Sequence, residues 1–199
     1  MYQYILASGS PRRKEILEQC GVSFVVEKSD IEENTTKTEP GEVVKELSYI
    51  KAMDVAEKTK EEKCIVIGAD TIVANGTVIL GKPKDRQDAF DMVQSIQGHA
   101  HSVYTGVALI VKDGAEKKII SFYEETKVEI AEMTEEEIRD YVATGEPDDK
   151  AGAYAIQGIF ANFVRGIQGD YYNVVGLPIA RIYSELKNIG IDLKKDCKK

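Results

Sequence analysis

Short apolar runs alternate with helical-period segments along the first hundred residues, a pattern that predicts strands alternating with helices. A capped turn joins the first two elements, because Ser10 stands where a helix N-cap is expected and Pro11 at the first helical position. The predicted elements are a strand at 4–7, a helix from 11 that stops at Gly21, a strand at 24–26, a helix at 42–58, a strand at 64–67, a hairpin at 71–80 that turns at Asn75-Gly76, and a helix at 85–96.

Longer strands and a glycine-rich segment follow in the second half. The predicted elements are strands at 102–111 and 118–130, a helix from the capping box of Thr134 and Glu137 to about Gly145, and a last helix from Pro178 toward Asn188. The segment 145–176 is too rich in glycine for a helix. No repeat or linker divides the chain, so we predict one mixed α/β domain over 1–199, or two closely packed lobes.

The composition suits a globular protein and argues against a surface that binds nucleic acid or anionic membrane. The chain has 199 residues, of which 43% are hydrophobic and 30% charged, and its formal net charge is −8. Both of those partners need an extended basic surface. A phosphorylated small molecule needs only a few local cations and a metal ion, so the charge does not exclude a nucleotide site.

The cysteines and the N-terminus predict a reduced, cytoplasmic setting. Cys20, Cys64 and Cys197 are odd in number and have neither CxxC nor zinc-site spacing. The N-terminal apolar run is too short for a signal peptide or a membrane span.

The turn Ser8-Gly9-Ser10-Pro11-Arg12-Arg13 is the first candidate for chemistry. A helix N-terminus offers unpaired N–H groups and a partial positive charge, which suit a phosphate. Arg12 and Arg13 lie in the first helical turn, where their positive charges interact unfavourably with the positive end of the helix dipole. An anion bound nearby would offset this unfavourable interaction. The alternative is that both arginines point into solvent.

An acid follows the central apolar run, in the sequence Gly68-Ala69-Asp70-Thr71. At the edge where open α/β sheets bind ligands, Asp70 would hold a divalent cation or orient a water molecule. A turn aspartate without a function gives the same pattern. After the hairpin, Pro83 stands where a Walker A motif needs Ser or Thr, which excludes a P-loop and leaves Lys82 as a single phosphate contact.

Two further segments carry candidate ligands. The acidic run 30–33 would supply a second metal ligand, although such runs are usually just solvated. The segment 145–158 suits a loop that closes on a ligand through Lys150 and Gln157, or a surface loop without a function. His101 has no catalytic spacing to Ser or Cys and is expected to be structural or exposed.

Six blocks of sequence together resemble the Maf family of nucleotide pyrophosphatases. They occur in the family's order between Ile5 and Pro178, as ILASGSPRRKEIL, GADTIV, GKP, YTGVAL, EPDDKAGAYAIQG and GDYYNVVGLP. The resemblance implies an elongated mixed β-sheet flanked by helices, similar to that of inosine triphosphate pyrophosphatases. It also implies a homodimer and hydrolysis of a nucleoside triphosphate between the α and β phosphates with Mg²⁺ or Mn²⁺.

The resemblance assigns roles to individual residues as well. Asp70 would be the catalytic acid or base, and Glu33 and Asp70 would hold the metal. The expected substrate contacts are Ser8 in the first turn, Arg12, Arg13, Lys51, Thr71, Lys82 and Gln157.

Three positions indicate which nucleotide the protein would act on. Arg12, Thr71 and Gln157 match the subgroup that acts on dTTP and UTP, whereas the subgroup that prefers 7-methyl-GTP has Trp in place of the first arginine. Ala155 departs from the glycine that family members often have there. We therefore expect a pyrophosphatase acting on dTTP and UTP, or on modified pyrimidine nucleotides. The alternatives are a non-catalytic nucleotide-binding regulator of cell division and a metal-dependent phosphomonoesterase, which would release orthophosphate.

Overall fold

A mixed β-sheet with helices organises residues 1–196, the part of the chain that this computed structural model describes. Within those residues the strands are β1 (Gln3–Leu6), β2 (Phe24–Val26), β3 (Lys63–Asn75), β4 (Val78–Leu80), β5 (Ala100–Asp113), β6 (Glu116–Ile130) and β7 (Val164–Gln168). The α-helices are α1 (Pro11–Gln19), α2 (Pro40–Lys58), α3 (Arg86–Ile96), α4 (Glu135–Ala143), α5 (Tyr171–Val175) and α6 (Ile179–Asn188). Short 3₁₀ helices cover Glu146–Asp149, Ala151–Ala153 and Ile159–Phe163.

The sheet is mixed because it contains both parallel and antiparallel strand pairs. The order is β2-β1-β3-β5-β6-β7, and β4 pairs with β3. β1 runs parallel to both neighbours, with Leu6 opposite Val26 on one side and Ile67 on the other. β3 and β4 are antiparallel, as are β6 and β7. The predicted α/β class with a mixed sheet is confirmed.

The chain divides into two compact units, each with an apolar core. The first comprises Met1–Asp70, Thr105–Glu124 and the chain from Gly176, and the second comprises Thr71–Tyr104 and Glu125–Val175. One core cluster of the first unit consists of buried small and branched residues, namely Ile5, Ala7, Ala52, Val55, Ala56, Cys64, Val66, Ala108 and Ile110. The core of the second unit adds aromatic rings, including Tyr141, Tyr154 and Phe160. The prediction of one domain or two packed lobes stays a prediction.

Most predicted helices begin where their capping residues stand. The Asp85 side chain accepts the N–H of Asp88 at the start of α3. Thr134 and Glu137 form both bonds of the predicted capping box at the start of α4. Ser10 occupies the N-cap position of α1, but its side chain makes no capping bond.

Two predictions about strands and loops were wrong. The run at 64–67 and the first arm of the hairpin are one continuous strand, β3. The glycine-rich segment, predicted to hold no helix, contains the short helix α5 as well as β7.

No helix within residues 1–196 has the length and apolarity needed to cross a membrane. Cys20 and Cys64 are free thiols, and Cys197 lies outside the described residues.

Candidate active site

The turn between β1 and α1 is held in shape by Arg13. Its Nε donates to the Gly176 carbonyl at 2.8 Å, and its Nη1 donates to Ser8 Oγ at 3.0 Å. Ser8 Oγ also accepts the N–H of Ser10 at 3.3 Å. Arg13 therefore does not simply point into solvent. It joins the start of α1 to Gly176, which lies far away in the sequence.

Charged groups surround the Arg13 guanidinium. Burial lowers its pKa, and the Asp70 carboxylate raises it again. Arg12 lowers the same pKa and Glu33 raises it, both by smaller amounts. An arginine keeps its proton despite such shifts, so the turn carries a fixed positive charge beside two carboxylates.

Lys51 of α2 joins two predicted site residues. Its Nζ lies 2.6 Å from Asp70 Oδ1 and 2.8 Å from Glu33 Oε2. Lys51 and Asp70 are each 13% exposed, whereas Glu33 is 54% exposed. Three residues that are distant in sequence thus form one charge cluster in the first unit, with the Lys51–Asp70 pair shielded and Glu33 at its surface.

Asp70 lies within β3 and not at the end of a strand, which corrects the sequence-based placement. The prediction was wrong because the strand was expected to cover only 64–67, whereas β3 continues through Gly68, which permits a helix to pack on it. A Cβ at Gly68 would stand 2.3 Å from the Ser48 carbonyl oxygen and 2.7 Å from Ala52 Cβ. The parallel pairing with β1 does stop nearby, at Ile67 opposite Leu6. Asp70 therefore follows the last parallel pair, and the close approach of α2 brings Lys51 to it.

Glu33 lies on a segment without regular structure, residues 27–39, which is fastened to α2 on both sides of Glu33. Ser29 Oγ donates to Asp54 Oδ2 at 2.8 Å. On the other side, the Thr35 hydroxyl donates to the Glu46 carboxylate. These bonds place Glu33 beside Lys51 even though the acidic run is largely exposed.

The two carboxylates fit a divalent cation such as Mg²⁺ or Mn²⁺. Carboxylate oxygens of Glu33 and Asp70 both lie within 2.8 Å of the Lys51 ammonium, so the two carboxylates are close neighbours. Mg²⁺ is usually held by one or two carboxylates, with substrate phosphates and water completing its shell. Across residues 1–196 no group of three or more His, Cys, Asp or Glu side chains is arranged to hold a metal ion. The metal stays a prediction.

Three predicted substrate contacts, Thr71, Lys82 and Gln157, belong to the second unit. Thr71 is half-buried on β3, directly after Asp70, and Lys82 and Gln157 are exposed. The N–H of Gly152 donates to the Gly81 carbonyl at 2.9 Å, so the segment with Lys82 is tied to the glycine-rich loop. The substrate-binding roles of these three residues stay predictions.

A sequence comparison decides the family. A family model described as "Maf-like protein" matches residues 3–189. The chain belongs to the Maf family.

Relatives within the Maf family cover almost the whole chain. The dTTP/UTP pyrophosphatase of Lachnoclostridium phytofermentans is 55% identical over 98% of this chain and 99% of its own. That of Agathobacter rectalis is 50% identical over 97% of this chain and 100% of its own. That of Bacillus cytotoxicus is 54% identical over 94% and 95%.

Two solved structures resemble this Maf chain distantly. The Staphylococcus aureus Ham1 protein gives a TM-score of 0.47 at 13% identity, over 81% of this chain and 79% of that one. A nucleoside-triphosphatase, or dITP/XTP pyrophosphatase, of Mycobacterium abscessus gives 0.43 at 13% identity, over 94% and 95%. The fold is described by the strands and helices of this chain itself.

Sequence reasoning missed how the Maf chain supports its glycine-rich loop. Lys150 donates to the Glu146 carbonyl and to Asp149 Oδ1, both at 2.6 Å, and its expected contact with a ligand stays a prediction. His101 is structural, since it is 3% exposed and shares a 2.7 Å hydrogen bond with the Tyr154 hydroxyl. The sequence signal for His101 is its spacing, because in a strand it lies on the same face as Val103, and that face is buried in β5.

Ala155 causes no strain where family members often have glycine. Among the residues that the structure describes, Ala153 is the non-glycine residue with a positive φ, at 58°. Ala155 does not share that conformation, so its methyl group is compatible with the backbone.

Proposed function

We propose that this protein hydrolyses dTTP and UTP to the nucleoside monophosphate and pyrophosphate. Relatives with that name are 50% to 55% identical over nearly the full chain. The observation that carries the proposal is the charge cluster in the first unit, where Lys51 holds Asp70 at 2.6 Å and Glu33 at 2.8 Å. A protein that only bound nucleotides would gain little from a shielded carboxylate beside a triphosphate.

Asp70 is the group in this cluster that would take up a proton. As a water oxygen bonds to the α-phosphorus, the bond to the bridging oxygen of the β-phosphate breaks, pyrophosphate leaves, and the water proton passes to Asp70. Lys51 orients the carboxylate through its 2.6 Å contact. Its positive charge would also offset the negative charge of the phosphates.

The turn at Ser8 supplies the charge that binds the polyphosphate. A triphosphate brings about four negative charges, which local cations must offset in a protein of net charge −8. Arg12 and Arg13 contribute guanidinium charge at the first turn of α1, where backbone N–H groups also favour an anion. Arg13 keeps the turn in place through Ser8 and Gly176.

A divalent cation on Glu33 and Asp70 would add Lewis-acid polarisation of the phosphate oxygens and offset their charge. Such an ion would also relieve the repulsion between the two carboxylates and an incoming triphosphate.

Thr71, Lys82 and Gln157 of the second unit are likewise proposed as substrate contacts. Gln157 has an amide that both donates and accepts, which matches the N3–H and the O4 oxygen of uracil or thymine. Lys82 would add a point charge for a phosphate, and Thr71 a hydroxyl.

The protein is further proposed to act in the cytoplasm, because its cysteines show no disulfide pattern, and to form homodimers.

Product identity tests the proposal most simply. The purified protein is incubated with Mg²⁺ and dTTP, UTP, dCTP or dATP, and pyrophosphate and orthophosphate are measured separately. Pyrophosphate in equal amount to the monophosphate, and faster from dTTP and UTP, is the expected result. Release of orthophosphate alone would support a phosphomonoesterase, and nucleotide binding without turnover would support a regulator.

A further inference from the structure

The loop that carries Gln157 is anchored on both sides of that residue. On the N-terminal side, Gly152 packs so tightly on β3 that a Cβ there would lie 2.8 Å from Val73 Cβ. Tyr154 is buried and shares its hydroxyl hydrogen bond with His101. Gln157 itself is exposed. An exposed amide between fixed points is suited to reading one face of a base.

Glu146 provides the anchor on the C-terminal side. Its Oε2 accepts the N–H of Ile159 at 2.8 Å, and its Oε1 accepts the N–H of Phe160 at 3.3 Å. These N–H groups belong to the first turn of the 3₁₀ helix Ile159–Phe163 and have no partner within that helix. A carboxylate is the acceptor that such a helix start favours, because its charge meets the positive end of the backbone dipoles.

Gly158 shows how closely the carboxylate approaches the loop. It has a φ of +89°, and a Cβ there would lie 2.5 Å from Glu146 Oε2. A side chain at this position would be strained by the backbone and would also displace the carboxylate. The residue directly after Gln157 is thus held against Glu146.

Glu146 is fixed in its own position as well. Its backbone N–H donates to the Thr144 hydroxyl at 3.1 Å, and its carbonyl accepts from Lys150 Nζ at 2.6 Å. The ring of Phe160, fully buried, packs on Tyr141 and Tyr154 with centroids 4.8 Å apart in both pairs. The carboxylate therefore links a rigid aromatic core to the exposed end of the loop.

We infer that Glu146 is a positioning residue for base selection, which sets the backbone at residues 158–160 and with it the orientation of the Gln157 amide. The inference rests on the proposed function, because it assigns to that function the discrimination between pyrimidines with a 4-oxo group and those with a 4-amino group. A thymine or uracil presents O4 and N3–H, whereas a cytosine presents the opposite pattern of donors and acceptors. An amide held in one orientation accepts one pattern and rejects the other.

The test compares Glu146→Gln with the wild-type enzyme and with Asp148→Asn. The glutamine keeps the size and one carbonyl acceptor but loses the charge and the second acceptor. Asp148→Asn removes a negative charge two residues away, on an exposed side chain. The first readout is the ratio of kcat/KM for dTTP to that for dCTP. The second is hydrogen–deuterium exchange of peptides covering residues 155–163.

Glu146→Gln is expected to lower the dTTP/dCTP ratio roughly tenfold, mainly through a higher KM for dTTP, as the loss of a charge-assisted hydrogen bond implies. The N–H groups of Ile159 and Phe160 should exchange faster, and Asp148→Asn should match the wild type in both readouts. An unchanged ratio in Glu146→Gln, with or without a lower Tm, overturns the inference. So does unchanged exchange at 159–160, whatever the enzyme hydrolyses. Absence of dTTP turnover in the wild type contradicts the proposed function separately.

Discussion

The Nζ of Lys51 lies 2.6 Å from Oδ1 of Asp70, and only 13% of each side chain is exposed. Ion pairs at the surface contribute little, because water and salt screen them. This pair is shielded from water, and Glu33 adds a second carboxylate at 2.8 Å. Removing the lysine would leave two neighbouring acids without the ammonium that contacts both of them, so we expect the cluster to be sensitive to this mutation.

Replacing Lys51 with Gln is expected to reduce kcat/KM for dTTP by about a hundredfold or more, since one preorganised charge at a phosphoryl centre typically contributes that much. Steady-state release of pyrophosphate measures it. Lys63→Gln is the matched control, because Lys63 Nζ also lies 2.6 Å from a carboxylate, that of Asp113, outside the candidate site. Equal losses in both variants would argue against a specific role for Lys51.

Glu33→Gln is expected to raise the Mg²⁺ concentration needed for half-maximal activity, because one of the two proposed metal ligands loses its charge. A Mg²⁺ titration of dTTP hydrolysis measures the shift, and calorimetric Mn²⁺ binding checks it without turnover. Glu32→Gln changes the neighbouring exposed acid and should leave both curves in place. Identical titrations for Glu33→Gln and the wild type would remove Glu33 from the metal site.

Gly68→Ala is expected to destabilise the protein by about 2 kcal/mol or more, through overpacking. The added methyl group would meet the Ser48 carbonyl oxygen at 2.3 Å, which is backbone and cannot turn aside. Urea unfolding measures the loss. Gly166→Ala is the control, because a Cβ there meets nothing within 4 Å. A Gly68→Ala variant as stable as the wild type would show that α2 does not approach β3 this closely.

His101 predicts a pH dependence of stability. Burial lowers its pKa from 6.5 to about 4. Between these two values the unfolded chain takes up a proton that the folded protein does not, so the free energy of unfolding falls as pH falls. The slope from this group is about 1.4 kcal/mol per pH unit, and it vanishes above pH 6.5.

Urea unfolding between pH 7 and roughly 5, where few carboxylates titrate, isolates this slope. His101→Gln should flatten the profile, whereas His99→Gln, which changes an exposed histidine, should keep the wild-type profile. Parallel profiles for His101→Gln and the wild type would contradict the burial of a neutral imidazole.

Periodicity and capping predicted most of the fold, because those signals are local. The capping box at Thr134 and Glu137 is formed as expected, and the helix predicted at 85–96 is present as α3. The full length of β3 could not be predicted from the sequence. A glycine is needed at position 68 because α2 packs closely there, and not because the chain turns. Propensity contains no information on which helix will pack on which strand.

The candidate site shows the same division between local and long-range signals. Family motifs indicated Glu33, Lys51 and Asp70, and the structure places all three in contact through Lys51. The support from Glu146 was missed because its partners are backbone N–H groups at Ile159 and Phe160, which leave no mark on side-chain patterns.

Pyrophosphate release by Asp70→Asn, measured with dTTP and Mg²⁺ beside Asp113→Asn, tests the central claim most directly. Both substitutions remove a carboxylate that lies 2.6 Å from a lysine, but only Asp70 belongs to the proposed site. We expect Asp70→Asn to retain the folded circular-dichroism spectrum and lose nearly all turnover, and Asp113→Asn to keep near wild-type turnover. Turnover by Asp70→Asn close to that of the wild type would contradict the role given to Asp70 and the mechanism built on it.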